Sequence, residues 1–171
     1  DAPCSMQSLI SIDSHPMRPI SEREEAALAE RQSRLLTAAL NALRPGGQLV
    51  YSTCTLSPLE DEAVVDSALK RFGRTIDILD VHRRLPRPAP GISAFGSTTL
   101  DQRTERAVRL WPHRFKTAGF FAALLIKKES APDASSPPAF RPFTKSGYRL
   151  PTTAEERETA AARLVDRKSV V

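Results

Sequence analysis

An abrupt change of apolar period constrains this chain more than any other feature. From Glu22 to Leu43, Ala27, Leu28, Leu35, Leu36, Ala39, Leu40 and Leu43 recur at helical spacing. Ser21 stands before the run with Glu24 three residues later, the pattern of a capping box. Arg44-Pro45-Gly46-Gly47 then ends the helix, because Pro cannot continue it and Gly suits a C-terminal cap. Immediately afterwards Gln48-Leu49-Val50-Tyr51-Ser52-Thr53 is short and apolar at its centre, which predicts a buried strand. A second cycle follows. Ser57-Pro58-Leu59-Glu60 predicts a helix start with Pro58 at the first helical position. That helix should run to Phe72, with Ala63, Val64, Ala68 and Leu69 inward, and stop at Gly73. Thr75–Val81 and Gly119–Ile126 predict further strands, with Phe120 and Phe121 in the core. The stretch from Arg83 to Arg109 is broken by Pro86, Pro88, Pro90, Gly91 and Gly96 and reads as a loop. Helices alternating with strands imply parallel strands joined by crossovers, so the fold class is α/β and this order suits the C-terminal half of a doubly wound sheet.

The 171 residues are enough for one domain with a core. Beyond it, Ser130 to Pro138 reads as a Pro/Ser/Ala linker, and Thr152 to Val165 as a short amphipathic helix in the tail. Asp1-Ala2-Pro3-Cys4 reads as the end of a buried strand, so the expectation is a piece of a longer protein whose N-terminal portion is missing. Lys and Arg number 25 against 20 Asp and Glu, a net charge of +5. That suits a polyanionic partner such as RNA, and equally a mildly basic surface. The two cysteines have no zinc-site spacing and make no disulfide scaffold, so no metal is expected and a reducing, cytoplasmic compartment fits. The longest apolar stretch is strand-sized, far short of a membrane span.

Parallel neighbours place their carboxyl ends along one sheet edge, where open α/β sheets bind ligands. Cys4 follows one strand end and Cys54 the next. If those strands are adjacent, ~5 Å apart, both thiols face one pocket.

Here the residues resemble a known family. Asp1-Ala2-Pro3-Cys4-Ser5 and Tyr51-Ser52-Thr53-Cys54-Thr55 resemble the two cysteine motifs of the Sun-domain (Nol/Nop/Sun, bacterial Fmu-type) RNA cytosine-5 methyltransferases. Gln32 to Leu40, Arg44-Pro45-Gly46-Gly47 and Pro58-Leu59-Glu60-Asp61-Glu62 resemble its intervening segments. Arg109-Leu110-Trp111-Pro112-His113-Arg114 followed by Gly119-Phe120-Phe121 resembles its C-terminal signature. The likeness covers residues 1–128, read as the C-terminal part of a Rossmann-like class I methyltransferase domain, and leaves 129–171 as linker and tail. It implies S-adenosyl-L-methionine as cofactor and rRNA or tRNA as partner. It also places the glycine-rich loop and the acidic ribose-holding residue of the donor site before Asp1, so this stretch alone is expected to be inactive.

The chemistry explains the need for such residues. Carbon 5 of cytosine is a poor nucleophile until a thiolate adds at carbon 6. A base must afterwards remove the carbon 5 proton so that the thiolate can leave. Only the thiolate attacks, so a thiol of pKa about 8.5 must be activated, and the helix start at Pro58 offers a positive end. The residues themselves do not say which cysteine attacks. The resemblance implies Cys54 as nucleophile and Cys4 in proton removal and release. It also implies that Asp1 contacts the donor, and that Pro3, Ser5 and Thr53 shape the substrate pocket. Trp111, His113 and Arg114 are candidate RNA contacts. Arg103, Arg106, Arg109, Arg114 and Lys116 form either an RNA-facing patch or a solvated surface. Glu60, Asp61 and Glu62 read as first-turn acids complementing the helix dipole, and His15 and His82 as surface residues. The chain departs from the family at Met6, where Gly is usual, and at Thr117-Ala118, where Asp often precedes the Gly. Two other functions fit less of this pattern: a non-catalytic RNA-binding or assembly module on the same fold, and a redox-active thiol pair.

Overall fold

The computed structural model describes residues 1–7, 19–116 and 118–128. Helix α1 spans Glu22–Ala42 and forms both halves of its capping box, with the Ser21 side chain accepting from the Glu24 N–H and the Glu24 carboxylate accepting from the Ser21 N–H. At the other end the Lys127 ammonium donates to the carbonyls of Leu40 at 3.0 Å and Leu43 at 2.8 Å. It thereby satisfies acceptors that have no partner within the helix.

The sheet is built around the last strand. Strand β1 (Gln48–Thr53), helix α2 (Glu62–Phe72) and strand β2 (Ile76–Leu79) follow α1, and β7 (Phe120–Lys127) is the last strand among the described residues. β1 and β2 run in the same direction, as the α2 crossover requires, but they do not pair. Each pairs antiparallel with β7: Gln48 opposite Ile126 and Thr53 opposite Phe121 on one edge, Ile76 opposite Lys127 and Leu79 opposite Leu124 on the other. The expected parallel neighbours are therefore separated by an antiparallel strand, and every described strand pair is antiparallel. The α/β class stands. What periodicity cannot show is that the most apolar strand is inserted between the other two, where Phe121, Ala123 and Leu125 are each 0% exposed.

The proline-rich stretch between β2 and β7 is more ordered than a loop. It contains β3 (Ala89–Pro90), β4 (Ala94–Phe95), β5 (Thr98–Thr99) and β6 (Val108–Leu110). β6 pairs with the first residues of β7 and β3 with β6, while β4 and β5 form a separate hairpin. Gly91 is required here. Its N–H donates to the Ala107 carbonyl at 2.8 Å, and a Cβ would come within 2.3 Å of the Thr104 carbonyl oxygen.

α1 and α2 bury Leu36, Leu40, Val64, Val65 and Leu69 with Tyr51, Ile76, Ile78 and Phe121 in one core. Each such aliphatic or aromatic side chain contributes about 1.5–3 kcal/mol by leaving water. Leu35, one of the apolar residues at helical spacing in α1, is exposed. No helix among the described residues is long and apolar enough to cross a membrane. The predicted linker and tail helix lie outside the described residues.

Candidate active site

The Ala2 N–H donates to the Ser52 carbonyl at 2.8 Å, which lays the first residues alongside the carboxyl end of β1. Cys54 follows that strand directly. The two thiol sulfurs are 3.3 Å apart, far beyond the ~2.05 Å of a disulfide bond and in hydrogen-bond contact, with either able to donate. Next to them the Ser5 and Thr55 hydroxyls are 2.9 Å apart. The convergence expected from chain order is thus present in the fold. Asp1 and Pro3 are exposed, and the Asp1 side chain makes no hydrogen bond or ion pair among the described residues. Thr53 differs from the expectation. It is fully buried and its hydroxyl donates to Asp61 Oδ1 at 2.5 Å.

Burial pushes the Cys54 thiol up to about 11, and the hydrogen bond and charge of Cys4 add to this, as does Glu60. The expected help from a helix start at Pro58 is overcome. α2 begins at Glu62, four residues later, after a turn in which the Glu60 and Asp61 N–H groups both donate to the Ser57 carbonyl. That turn drives three carboxylates inward. Glu60, Asp61 and Glu62, expected as first-turn acids complementing the helix dipole, are each 0% exposed.

Their partners explain how this is tolerated. Arg109, predicted for a surface patch, is 1% exposed and donates Nε to Glu62 Oε1 at 2.6 Å and Nη2 to Glu62 Oε2. The same Nη2 is 3.3 Å from Asp61 Oδ2, and Nη1 donates to the Leu56 carbonyl at 3.0 Å. One guanidinium thus faces two carboxylates, and burial pushes Asp61 up to about 8 despite the Thr53 hydrogen bond and Arg109. Glu60 Oε2 accepts from the Ser5 N–H at 3.0 Å and from Gln32 Nε2 at 2.8 Å. Burial, then the charges of Asp61 and Glu60, keep the Tyr51 phenol protonated far above its ordinary range, and its O–H donates to the Glu60 carbonyl.

Arg109 also reaches the aromatic candidates. Its Cζ lies 5.4 Å from the Trp111 ring centroid and 5.7 Å from that of Phe121, within cation–π range. Trp111 caps the short helix α3 (Pro112–Phe115) and its ring centroid is 6.3 Å from that of His113. His113 and Arg114 are exposed. Of the five cations in the expected patch, Arg109 is buried, Arg103 pairs with Asp101 and Arg106 with Asp77. Arg114 and Lys116 alone of the five remain exposed without an acidic partner among the described residues.

A solved methyltransferase homologue protein from Pyrococcus horikoshii superposes with a TM-score of 0.59 at 33% identity, covering 75% of this chain and 37% of that one. NSun6 from Pyrococcus horikoshii, determined with SFG, gives 0.58 at 29% identity over 76% of this chain and 29% of that one. The fold is therefore that of the Rossmann-like methyltransferases. Among curated proteins, ribosomal RNA small subunit methyltransferase F of Aeromonas salmonicida is 35% identical over 138 residues, 81% of this chain and 27% of its own length. The multisite-specific tRNA:(cytosine-C(5))-methyltransferase trm4b of Schizosaccharomyces pombe is 30% identical over 192 residues, 93% of this chain and 28% of its own. Residues 1–126 match the 16S rRNA methyltransferase RsmB/F family, and the chain belongs to it. It spans about 30% of the length of the curated relatives it matches.

Sequence reasoning missed Gln32 and misread Glu60, Glu62 and Arg109. A signal for the first was present. Leu28, Gln32, Leu36 and Leu40 form one i, i+4 ridge of α1, and a lone amide on an apolar ridge marks a buried polar contact.

Proposed function

We propose that the full-length protein is an S-adenosylmethionine-dependent RNA cytosine-5 methyltransferase acting on rRNA or tRNA, with Cys54 as nucleophile and Cys4 as the group that enables release. The observation that carries this reading is the 3.3 Å contact of two thiols at the carboxyl end of β1. The Cys54 thiolate bonds to carbon 6 of an unstacked cytosine, which makes carbon 5 nucleophilic. The bound donor supplies the methyl group at this point. Cys4, acting as its thiolate, then accepts the carbon 5 proton, the pair of electrons re-forms the ring double bond, and the bond from Cys54 sulfur to carbon 6 breaks.

Asp1 fits the donor in a limited way. It is an exposed carboxylate beside the strand end, free to accept a hydrogen bond from an amino group of the ligand, and it makes one corner of such a site. Pro3 and Ser5 border the cytosine pocket, while Trp111, His113 and Arg114 offer stacking and phosphate contacts to the RNA. A cytoplasmic setting suits the chemistry, because reducing conditions keep both thiols reduced.

The test is substitution in the full-length protein. Cys54→Ala should abolish transfer of methyl to RNA, whereas Cys4→Ala should accumulate a covalent protein–RNA adduct. Full activity in Cys54→Ala would refute the assignment.

A further inference from the structure

Cys4 is held from behind by a pair of residues that belongs to neither cysteine motif. Gln32 is 0% exposed, and its Nε2 donates to the Pro3 carbonyl at 2.8 Å and to Glu60 Oε2 at 2.8 Å. Glu60, also 0% exposed, accepts the Ser5 N–H at 3.0 Å through the same Oε2. The peptide groups on both sides of Cys4 are thus fixed, one through its carbonyl and one through its N–H.

The pair is costly in any other role. Gln32 Oε1 and Glu60 Oε1 are buried with no hydrogen-bond partner among the described residues. An orphaned polar atom keeps its full desolvation penalty. On the ridge formed with Leu28, Leu36 and Leu40, a leucine at position 32 would pack without that cost. The atoms of the pair that are satisfied are the ones holding the Cys4 loop.

We propose that Gln32 and Glu60 are positioning residues for the two-thiol centre: they clamp the backbone around Cys4 and thereby set its thiol against Cys54. This rests on the reading of Cys4 as the release group. A loosened Cys4 would leave Cys54 able to attack while delaying loss of the carbon 5 proton. The affected step is therefore release, not adduct formation.

The experiment uses the full-length protein with two volume-matched variants, Gln32→Leu and Gln32→Met, and the conservative Glu60→Gln. Turnover on cytosine-containing RNA with S-adenosylmethionine is measured beside the covalent adduct retained on denaturing gels. Gln32→Leu and Gln32→Met should lose about ten- to hundred-fold in turnover, as for a misplacement near 1 Å, while the adduct fraction rises. Glu60→Gln keeps an acceptor oxygen for both donors and should fall between these and the parent. Parallel loss of adduct and turnover, or no change in either, would overturn the proposal. A second measurement needs no RNA. Phenylarsine oxide bridges two thiols at once and blocks their later alkylation. The parent should be bridged rapidly and the Gln32 variants several-fold more slowly, and equal rates would overturn the clamp. The two readings fail separately: activity in Cys54→Ala removes the proposed function, whereas bridging that ignores position 32 removes the clamp.

Discussion

Replacing Arg109 with Met strikes the fold at its most concentrated charge cluster. Methionine keeps much of the side-chain volume and the apolar contact with Trp111 and Phe121, and deletes the guanidinium. The two donations to Glu62, the one to the Leu56 carbonyl and the 3.3 Å contact with Asp61 are lost together. Solvent cannot replace them, because Arg109 is 1% exposed and both acids are 0% exposed. Breaking a buried ion pair from one side costs about 3–5 kcal/mol, chiefly because the surviving charge is stranded. At roughly 2–4 °C per kcal/mol for domains of 150–250 residues, Tm should fall by about 6–20 °C. Calorimetry on the full-length protein reads this directly. Removing the stranded charge as well, in Glu62→Gln with Arg109→Met, should recover at least half of the loss. A single variant within about 1 kcal/mol of the parent would refute the reasoning, as would a double variant whose losses simply add.

Three further outcomes are expected. Asp61 ionises near 3.8 when unfolded and near 8 in the fold, so the folded chain binds an extra proton between those values. Its contribution is full at low pH and is lost as pH rises toward 8; Asp61→Asn should flatten that decline in urea titrations from pH 6 to 8.5, and equal slopes would count against it. Cys54, raised to about 11 first by burial and then by Cys4, should react slowly with iodoacetamide at neutral pH. In Cys4→Ala its alkylation should be faster at pH 8, and an unchanged rate–pH profile would contradict the coupling. Met6 sits at φ 54°, in the left-handed region, and is 54% exposed. Met6→Gly should relieve about 1–2 kcal/mol of backbone strain against about 0.5–1 kcal/mol of glycine entropy, a net gain of at most about 1.5 kcal/mol visible in urea unfolding, whereas a loss of stability would show the strain argument to be wrong.

The case of Met6 shows how far the sequence reached. The departure from Gly was visible there, and the positive φ at that position gives it a physical meaning that letters alone do not carry. The sequence by itself determined the elements. The capping box at Ser21, the stop at Pro45-Gly46 and the strand at Gln48–Thr53 are local events, set by propensity and hydrogen-bonding capacity within a few residues. It also showed that one helical crossover lies between Cys4 and Cys54, which brings the two thiols to one pocket if their segments are neighbours.

Tertiary structure alone decided the rest. That β7 separates β1 from β2 depends on which apolar strand finds most cover, a comparison across about 75 residues that no local pattern encodes. The acids after Cys54 look identical as letters whether they face water or one buried guanidinium. Only the arrival of Arg109 from β6, 47 residues away, makes their burial affordable. The same holds at the thiols: composition supplied two cysteines, and the side chains of Gln32 and Glu60, from α1 and the turn before α2, hold the backbone that brings them to 3.3 Å.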